Sequence, residues 1–343
     1  MEINQIIQST INLLLEKKEW EERFEGYIQN IAISHPNIAK RSFRKPEGLS
    51  LYSSVGSKGK SYDLRFRGQS VARVIETING KVELCPKSAA NNAYFGIELD
   101  EKVDWNSAKA SNFRSSFKKE SLNFTSEMTT ADRKYPKSEE HRVENCLLRE
   151  FNKKVGIEKA LCNIQPIKLY GLFFQIPTPL KASTHHPEYQ RKGGGIDILA
   201  RIKPVKGNSR ICVMEVKDEN KPAESQAIAM SQAVTYAVFI AYLLQSKSGQ
   251  HWWDFFMGRT LTAMKVNNGT IQIPVIKEMP KHRDIDVVTI MPNGATEEYC
   301  DVELPLEGLN TTLHCHSLYY DGDTFQKNEA FIFSGTYPNQ LSK

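Results

Sequence analysis

The segment Arg210–Lys217 has the sequence RICVMEVK and places an acid and a base inside an otherwise apolar strand. Side chains of a strand alternate between its two faces, so Glu215 and Lys217 share one face with Ile211 and Val213. Burying ionised groups is costly unless they are paired or bind a metal. The segment therefore predicts a buried strand that ends in a polar site.

A second strand candidate precedes this segment, and it also contains a lone acid. GGGIDILARI, from Gly193 to Ile202, places Asp197 between two isoleucines. The intervening KPVKGNS is rich in turn-forming residues, so it predicts a hairpin-like connection. If the strands pair, Asp197 lies beside Glu215 and the two carboxylates converge. The three glycines allow either a close approach of backbone or substrate or a simple turn.

Converging carboxylates favour a particular ligand chemistry. Asp197 and Glu215, with a backbone carbonyl such as that of Val216, suit a hard cation such as Mg²⁺, with Mn²⁺ as a substitute. Such an ion assists phosphodiester hydrolysis by lowering the pKa of bound water and clamping the attacking and leaving oxygens. Lys217 would then orient the water or offset charge on the phosphorus. The structural alternative is a salt bridge between Glu215 and Lys217.

An amphipathic helix is predicted upstream of both strands. In SEEHRVENCLLREFNKK, which begins at Ser138, acids occupy the first turn and apolar side chains recur on one face. Glu140 and Glu144 are four residues apart, so either can face the site. We favour Glu144 as a catalytic residue because it borders the packed face formed by Leu147 and Leu148.

A long apolar helix is predicted downstream, from about Ala223 to Gln245. Polar residues interrupt its most hydrophobic stretch, so we expect a buried core helix rather than a membrane span. Gln232 and Tyr236 share one face of this helix. They either support the substrate or site or are polar side chains satisfied inside the core.

Together these elements resemble the PD-(D/E)XK nuclease superfamily over residues 138–266. The matching features are GGGID with Asp197, MEVK with Glu215 and Lys217, the acid-bearing helix, and SQAVTYA. Gln232 and Tyr236 in SQAVTYA resemble the QxxxY element of the RecB-like branch. The resemblance implies a metal-dependent nuclease with a restriction-endonuclease-like core, in which the aspartate and glutamate hold the metal and the lysine assists catalysis.

The order of elements predicts the fold class. Helical spacing over residues 1–34 is followed, to about Lys134, by short strands and polar loops such as NSAKASNFRSSFKKES. A strand at Ile167–Ile176 and later strands at TLTAMKV, IQIPVI and IDVVTI complete the pattern. We expect an α/β fold with a mixed central sheet flanked by helices, divided into an N-terminal region (1–134) and a nuclease-like domain (135–343).

Composition and cysteine content narrow the functional classes. The 343 residues are 40% apolar and carry a formal charge of +5, which permits an anionic partner without requiring one. The six cysteines form no CxxC pair, which favours free thiols in a reducing compartment. The opening MEINQIIQST does not resemble a signal peptide. We therefore expect a cytoplasmic protein with no membrane contact.

A basic segment lies between Asn37 and Val74. Nine lysines and arginines, among them Arg65 and Arg67, occur there against two acids. The interleaved aromatic residues are Phe43, Tyr52, Tyr62 and Phe66. The pattern is typical of a phosphate-tracking, base-stacking surface and also of a solvated, loop-rich face. It makes nucleic acid, with DNA first, the expected partner.

Two histidine motifs are further candidates. His185 and His186 lie just upstream of the glycines, where they either contact phosphate or belong to a loop without a role. His314 and His316 share one strand face on either side of Cys315, which could suggest zinc, although no second pair of ligands is evident.

The sequence supports three functional hypotheses. The first is a Mg²⁺-dependent deoxyribonuclease that uses the acids, the lysine and the helix residues named above. The second is a catalytically inactive nuclease-fold protein that binds nucleic acid, and the third is a metal-free domain with an internal ion pair. The sequence leaves open whether DNA or RNA is cut, whether cleavage is internal or terminal, and the oligomeric state.

Overall fold

The computed structural model describes residues 2–33, 49–55, 61–87, 97–98, 101–122, 139–152, 164–182, 186–191, 193–202, 208–219, 225–265, 271–294 and 301–337. These residues form a mixed α/β fold with two principal sheets. The predicted α/β class is therefore confirmed.

Pairs of helices separate runs of consecutive strands along most of the described chain. The helices of the described residues are α1 (Ile3–Glu16), α2 (Glu19–Ile33), α3 (Ala108–Leu122), α4 (Glu139–Phe151), α5 (Gln226–Gln245), α6 (Gly249–Phe256) and α7 (Gly322–Asn328). The strands are β1 (Leu49–Ser53), β2 (Ser61–Phe66), β3 (Gln69–Glu76), β4 (Val82–Pro86), β5 (Val103–Asp104), β6 (Ile164–Pro166), β7 (Phe173–Phe174), β8 (Leu180–Lys181), β9 (Glu188–Tyr189), β10 (Ile198–Ile202), β11 (Arg210–Val216), β12 (Met264–Lys265), β13 (Ile271–Gln272), β14 (Arg283–Pro292), β15 (Asp301–Leu306), β16 (Thr311–Tyr320) and β17 (Phe333–Gly335).

A seven-stranded mixed sheet carries the candidate site. Its strand order is β15-β16-β14-β11-β10-β6, and β17 pairs with β16 outside this path. Strands β11, β14 and β16 are parallel, whereas β10 is antiparallel to both β11 and β6. The long apolar runs of β11 and β14 are typical of strands that are covered on both faces.

Helices cover both faces of this sheet. On one face, Ile211 and Val213 pack with α1, α2 and α5 in the largest apolar cluster. On the other face, Met214 and Val216 pack with Val143 of α4 in a second cluster. The alternation predicted for RICVMEVK is therefore confirmed, because neighbouring residues of β11 enter different cores.

Helix α5 is the long apolar helix predicted from the sequence. Its N-cap, Ser225, accepts a hydrogen bond from the backbone N–H of Ile228, which satisfies one of the free donors of the first turn. By length and composition the helix could cross a membrane, but 78% of its most apolar window is buried inside the protein. The prediction of a core helix is therefore confirmed.

The N-terminal helices belong to the same core. The sequence predicts helix throughout residues 1–34, and the chain forms two helices with a break at Lys17 and Lys18. The Trp20 and Phe24 rings of α2 lie 5.6 and 5.0 Å from the ring of Phe239 on α5. These helices therefore complete the cover of the large sheet.

A six-stranded sheet, in the order β5-β4-β3-β2-β1-β7, forms a second layer. Phe66 on one face packs with Phe113 and Phe117 of α3. On the other face, Tyr52 packs in the same cluster as Val143 of α4. Helix α4 therefore lies between the two sheets and contacts both.

The segment Ile167–Ile176 is not the single strand that its composition predicts. Tyr170 and Gly171 have φ angles of +57° and +79° and form a turn, across which Leu169 and Leu172 pair. The chain leaves the large sheet after β6 and enters the small sheet at β7. The branched and aromatic residues of this segment therefore belong to a connection between the two sheets. They resemble a strand in composition because the residues on both sides of the turn are buried.

The segment NSAKASNFRSSFKKES is not a polar loop, since most of it forms α3. Ala110, Phe113 and Phe117 lie on one face of this helix and are fully buried against the small sheet. Serines and lysines dominate the composition of the segment, so its few apolar residues do not indicate a helix by composition alone.

Candidate functional site

The predicted pairing of the two central strands brings Asp197 opposite Glu215. Strands β10 and β11 are antiparallel, with Ile198 opposite Met214. One position further along this register, Asp197 lies opposite Glu215. Asp197 Oδ2 also accepts a hydrogen bond of 2.9 Å from the backbone N–H of Val216. The pairing prediction is confirmed, and the two carboxylates converge where β10 begins and β11 ends.

Glu140, at the start of α4, completes a group of three acids. One carboxylate oxygen from each of Glu140, Asp197 and Glu215 lies within 4.8 Å of the others. Among the described residues, no other set of three His, Cys, Asp or Glu side chains meets this criterion. We call these residues the acidic triad. Their oxygens form a donor set that could hold a hard divalent cation.

Lys217 brings one positive charge to the three carboxylates of the triad. Its Nζ donates hydrogen bonds to Glu215 Oε1 at 2.9 Å and Gln232 Oε1 at 2.8 Å, and lies 3.6 Å from Glu140 Oε1. Its side chain is only 12% exposed. The salt bridge considered from the sequence is therefore present, and in the described ion pairs three carboxylates share one ammonium, an excess of negative charge when all are ionised.

The electrostatics of Asp197 reflect this excess. Burial raises the pKa of Asp197 well above its ordinary value, and the carboxylates of Glu215, Glu144 and Glu140 raise it further. The N–H of Val216 acts in the opposite direction. A carboxyl group that keeps its proton because other carboxylates surround it is one that a bound cation would ionise.

Gln232 and Tyr236 lie on the same face of α5 but contact different parts of the site. Gln232 is buried and accepts a hydrogen bond from Lys217, so it orients the ammonium. The Tyr236 side chain forms a hydrogen bond with the backbone of Ala182. Burial raises the pKa of the Tyr236 hydroxyl, and the charges of Glu215 and Asp197 raise it further. Tyr236 therefore packs beside the segment that precedes Asp197.

The glycines before Asp197 have a packing role. A Cβ on Gly193 would lie 2.5 Å from the carbonyl oxygen of Thr178, and one on Gly194 would lie 2.6 Å from the Tyr236 hydroxyl oxygen. Gly195 is exposed, and its nearest such contact is 3.7 Å. Internal packing therefore explains the first two glycines and leaves only the third open to close approach from outside.

Glu144 lies one turn after Glu140 on α4 and has a different environment. It is 1% exposed, both of its carboxylate oxygens are 3.2 Å from Gln175 Nε2, and Oε2 is 3.4 Å from His141 Nδ1. Its charge acts on Asp197, but Glu144 is not part of the acidic triad. The sequence favours Glu144 over Glu140, but Glu140 is the acid whose carboxylate joins those of Asp197 and Glu215.

The backbone at Lys217 is held by residues that the sequence does not single out. The Tyr320 hydroxyl donates to the Lys217 carbonyl oxygen at 2.9 Å and contacts Glu219 Oε2 at 3.3 Å. Glu219 forms a buried ion pair with Arg142 of α4. Tyr320 lies about a hundred residues from Lys217, so no local pattern signals this contact.

The opposite end of the same sheet carries a second polar group. His314 approaches Asp284 at 2.8 Å and Glu303 at 3.2 Å, whereas His316 approaches Asp301 at 3.2 Å. Beside them, Arg210 Nη1 lies 3.3 Å from Asp286 Oδ1. The members of this histidine–carboxylate cluster are Arg210, Asp284, Asp286, Asp301, Glu303, His314 and His316.

The histidine–carboxylate cluster does not have the arrangement of a zinc site. His314 and His316 share a strand face, as the sequence predicts, but each pairs with carboxylates of neighbouring strands. Within the part of the chain that the structure describes, these side chains do not bring three ligand atoms together. Burial lowers the pKa of His316, as expected for an imidazole packed beside Tyr337.

In the described part of the basic segment, residues 49–55 and 61–74, the aromatic residues do not form the base-stacking surface that the sequence suggests. Tyr52, Tyr62 and Phe66 are at most 2% exposed and belong to the cores. The side chain of Arg65 is 14% exposed and pairs with Asp63. That prediction is wrong because the aromatic residues alternate into apolar cores, whereas Phe43 and residues 40–45 and 58–60 lie outside the described residues.

The remaining candidates are the histidine pair before the glycines, the cysteines and the carbonyl of Val216. His186 is exposed, and His185 lies outside the described residues. Cys85, Cys146, Cys212 and Cys315 are buried free thiols, as the cysteine pattern predicts. The carbonyl of Val216 stays a predicted metal ligand.

Comparisons with known proteins add no identification of this chain. No protein-family model matches it, and no match is found among curated proteins or solved structures.

Proposed function

We propose that this protein is a Mg²⁺-dependent nuclease of the PD-(D/E)XK type that hydrolyses phosphodiester bonds, with DNA as the first substrate to test. The observation that carries the proposal is the convergence of Glu140, Asp197 and Glu215 beside Lys217. Three carboxylates around one ammonium carry a net negative charge that a divalent cation would balance.

The residues present fit a hard cation. Carboxylate oxygens are preferred by Mg²⁺ and Mn²⁺, and the partly exposed Asp197 and Glu140 leave room for water and a phosphate oxygen in the coordination shell. Glu140, Asp197 and Glu215 would hold the ion, with the Val216 carbonyl as a further ligand. Bound there, Mg²⁺ would lower the pKa of water and offset charge on the phosphate.

The protein side chains would supply orientation and positive charge. Lys217 is held by Glu215 and Gln232, so its ammonium is preorganised to donate to a phosphate oxygen or to the attacking water. Tyr236 would fix the segment that carries Asp197, and Glu144 would add a fixed charge behind it. Each of these roles requires the strands and helices to meet at one corner of the sheet.

The arrangement of elements supports a restriction-endonuclease-like core. The acids lie on an antiparallel pair of strands inside a mixed sheet, with α4 and α5 on opposite faces. Both helices contribute side chains to the site, Glu140 from α4 and Gln232 from α5. The formal charge of +5 and the buried free thiols support a polyanionic substrate and a cytoplasmic location.

A cleavage panel tests the proposal. Purified protein is incubated with single- and double-stranded DNA and RNA, each with Mg²⁺, Mn²⁺, Ca²⁺ or EDTA, beside a Glu215→Gln variant. We expect cleavage in Mg²⁺ and Mn²⁺ that is absent in EDTA and in the variant, because Gln keeps the shape of the side chain but removes its charge.

Two other results would contradict the nuclease proposal. Salt-sensitive nucleic-acid binding without any product in any metal would favour the inactive, binding-only protein. Cleavage that persists in Glu215→Gln would instead point to a site elsewhere on the chain or to a contaminating activity.

A further inference from the structure

Arg65 lies on the face of the small sheet that packs against α4. Its guanidinium is stacked on the Tyr52 ring, 4.1 Å from the centroid, and its Nε donates a hydrogen bond of 2.8 Å to Asp63 Oδ2. Tyr52 in turn accepts a hydrogen bond of 3.1 Å from Asn145 of α4. Arg65 is therefore fixed at the interface between the small sheet and the helix that carries Glu140.

A chain of hydrogen bonds leads from Arg65 toward the site. Arg65 Nη2 donates to Gln175 Oε1 at 2.9 Å, and Gln175 Nε2 lies 3.2 Å from each carboxylate oxygen of Glu144. Gln175 can bridge a cation and an anion in this way because its amide has one acceptor end and one donor end. Burial lowers the pKa of Arg65, but the charge of Glu144 raises it, so that the net shift is upward. The two groups therefore interact electrostatically.

Glu144 is a buried carboxylate at the border of the acidic triad. It lies one turn from Glu140, and its charge acts on Asp197. Without compensation, such a group would turn toward any cation bound at the triad, where it would compete with water and phosphate for coordination. Arg65 supplies this compensation through Gln175, while His141 Nδ1 lies 3.4 Å from Glu144 Oε2.

We propose that Arg65 is a positioning residue of the active site: through Gln175 it holds Glu144 away from the metal, so that coordination positions stay open for substrate. The inference rests on the proposed nuclease function. It makes the small sheet a structural part of the site rather than a separate nucleic-acid-binding region.

The test compares full-length Arg65→Met, Gln175→Leu and Arg65→Lys with the parent protein. Calorimetry gives the Mg²⁺ Kd, steady-state cleavage gives kcat and KM, and thermal melting reports folding. Arg73→Met is the matched control, because Arg73 is exposed on the neighbouring strand of the same sheet.

We expect Arg65→Met and Gln175→Leu to lower kcat by about tenfold or more, the size typical of residues that orient metal ligands. Mg²⁺ should bind these variants at least as tightly as the parent, since Glu144 becomes free to join the triad. Arg65→Lys, which keeps the charge, should recover part of kcat, and Arg73→Met should match the parent. A purely structural role would instead weaken Mg²⁺ binding and lower the melting temperature together.

Two outcomes would overturn the inference. One is parental kcat in Arg65→Met, and the other is Mg²⁺ binding weakened more than threefold in that variant. A parent that binds Mg²⁺ but cleaves nothing would overturn the proposed function alone. The positioning role of Arg65 would then be decided by the Mg²⁺ Kd, which must not rise in Arg65→Met.

Discussion

The two ends of strand β11 differ in how their charges are balanced. At the carboxyl end, Glu140, Asp197 and Glu215 gather around the single ammonium of Lys217. At the amino end, Arg210 faces Asp286, and the histidine–carboxylate cluster continues across β14, β16 and β15. Both groups are partly buried, and both combine acids with bases.

The difference lies in whether the carboxylates approach basic side chains or one another. In the histidine–carboxylate cluster, Asp284 and Glu303 flank His314, Asp301 faces His316, and Asp286 faces Arg210. Each of these four carboxylates therefore lies within 3.3 Å of a basic side chain. In the acidic triad, by contrast, one oxygen from each of three carboxylates lies within 4.8 Å of the others, beside Lys217. Carboxylates that converge on one another, rather than each on a separate base, are the arrangement that favours a hard cation.

The largest expected effect is on kcat, and it distinguishes Lys217 from Arg210, the basic residues at the two ends of β11. Lys217→Ala should reduce kcat for Mg²⁺-dependent cleavage by about 10²- to 10³-fold, because it removes a preorganised positive charge from the reaction centre. Arg210→Ala, at the other end of the strand, should leave kcat within about twofold. Initial cleavage rates below the melting temperature of each variant provide the measurement, and equal losses in both variants would remove the distinction.

Metal binding gives the next largest contrast. Asp197→Asn should weaken Mg²⁺ binding by at least about tenfold, because it removes an anionic ligand and its charge. Asp286→Asn should leave the Mg²⁺ Kd unchanged, since Asp286 already has Arg210 as partner. Isothermal titration calorimetry of both variants tests this contrast, and a metal-free protein would show no Mg²⁺ heat even in the parent.

The smallest effect concerns the pH dependence of stability. Burial raises the pKa of Asp286 above its ordinary value, so the folded state binds its proton more tightly than the unfolded state does. The contribution of this group to the free energy of unfolding is complete below the unfolded pKa of about 3.9 and falls as pH rises through the folded pKa. Asp286→Asn should therefore gain stability relative to the parent across that window.

Urea unfolding at several pH values between 4 and 7 measures this difference. Its slope cannot exceed about 1.4 kcal/mol per pH unit for one group. Asp284→Asn, on the same strand but 36% exposed at the side chain, is the matched control. Parallel stability curves for Asp286→Asn and the parent would show that the titration of Asp286 does not contribute.

The local features of the site could be predicted from the sequence. The alternation in RICVMEVK assigns Glu215 and Lys217 to one face of a strand, and the turn residues before it predict pairing with the strand that follows Asp197. Helices α4 and α5 follow from apolar spacing. These features depend on residues a few positions apart, so the chain itself sets their geometry.

Contacts between distant elements could not be predicted in this way. Whether Glu140 or Glu144 meets Asp197 depends on the rotation of α4 between the two sheets, and the helical pattern allows both. The environment of Arg65 depends on Gln175, which is 110 residues away and lies in a segment that the sequence predicts as one continuous strand. Charge alone assigned Arg65 to a basic surface.

The sequence by itself determined the chemistry available to this protein: two acids and a lysine on buried strands, a helix with two further acids, and a core helix with Gln232 and Tyr236. Only the tertiary structure decided which of these side chains share one site, and that Glu144 pairs through Gln175 with Arg65 of another sheet. The physical reason is that periodicity fixes the direction of a side chain within its own element, whereas charge balance depends on which elements pack together.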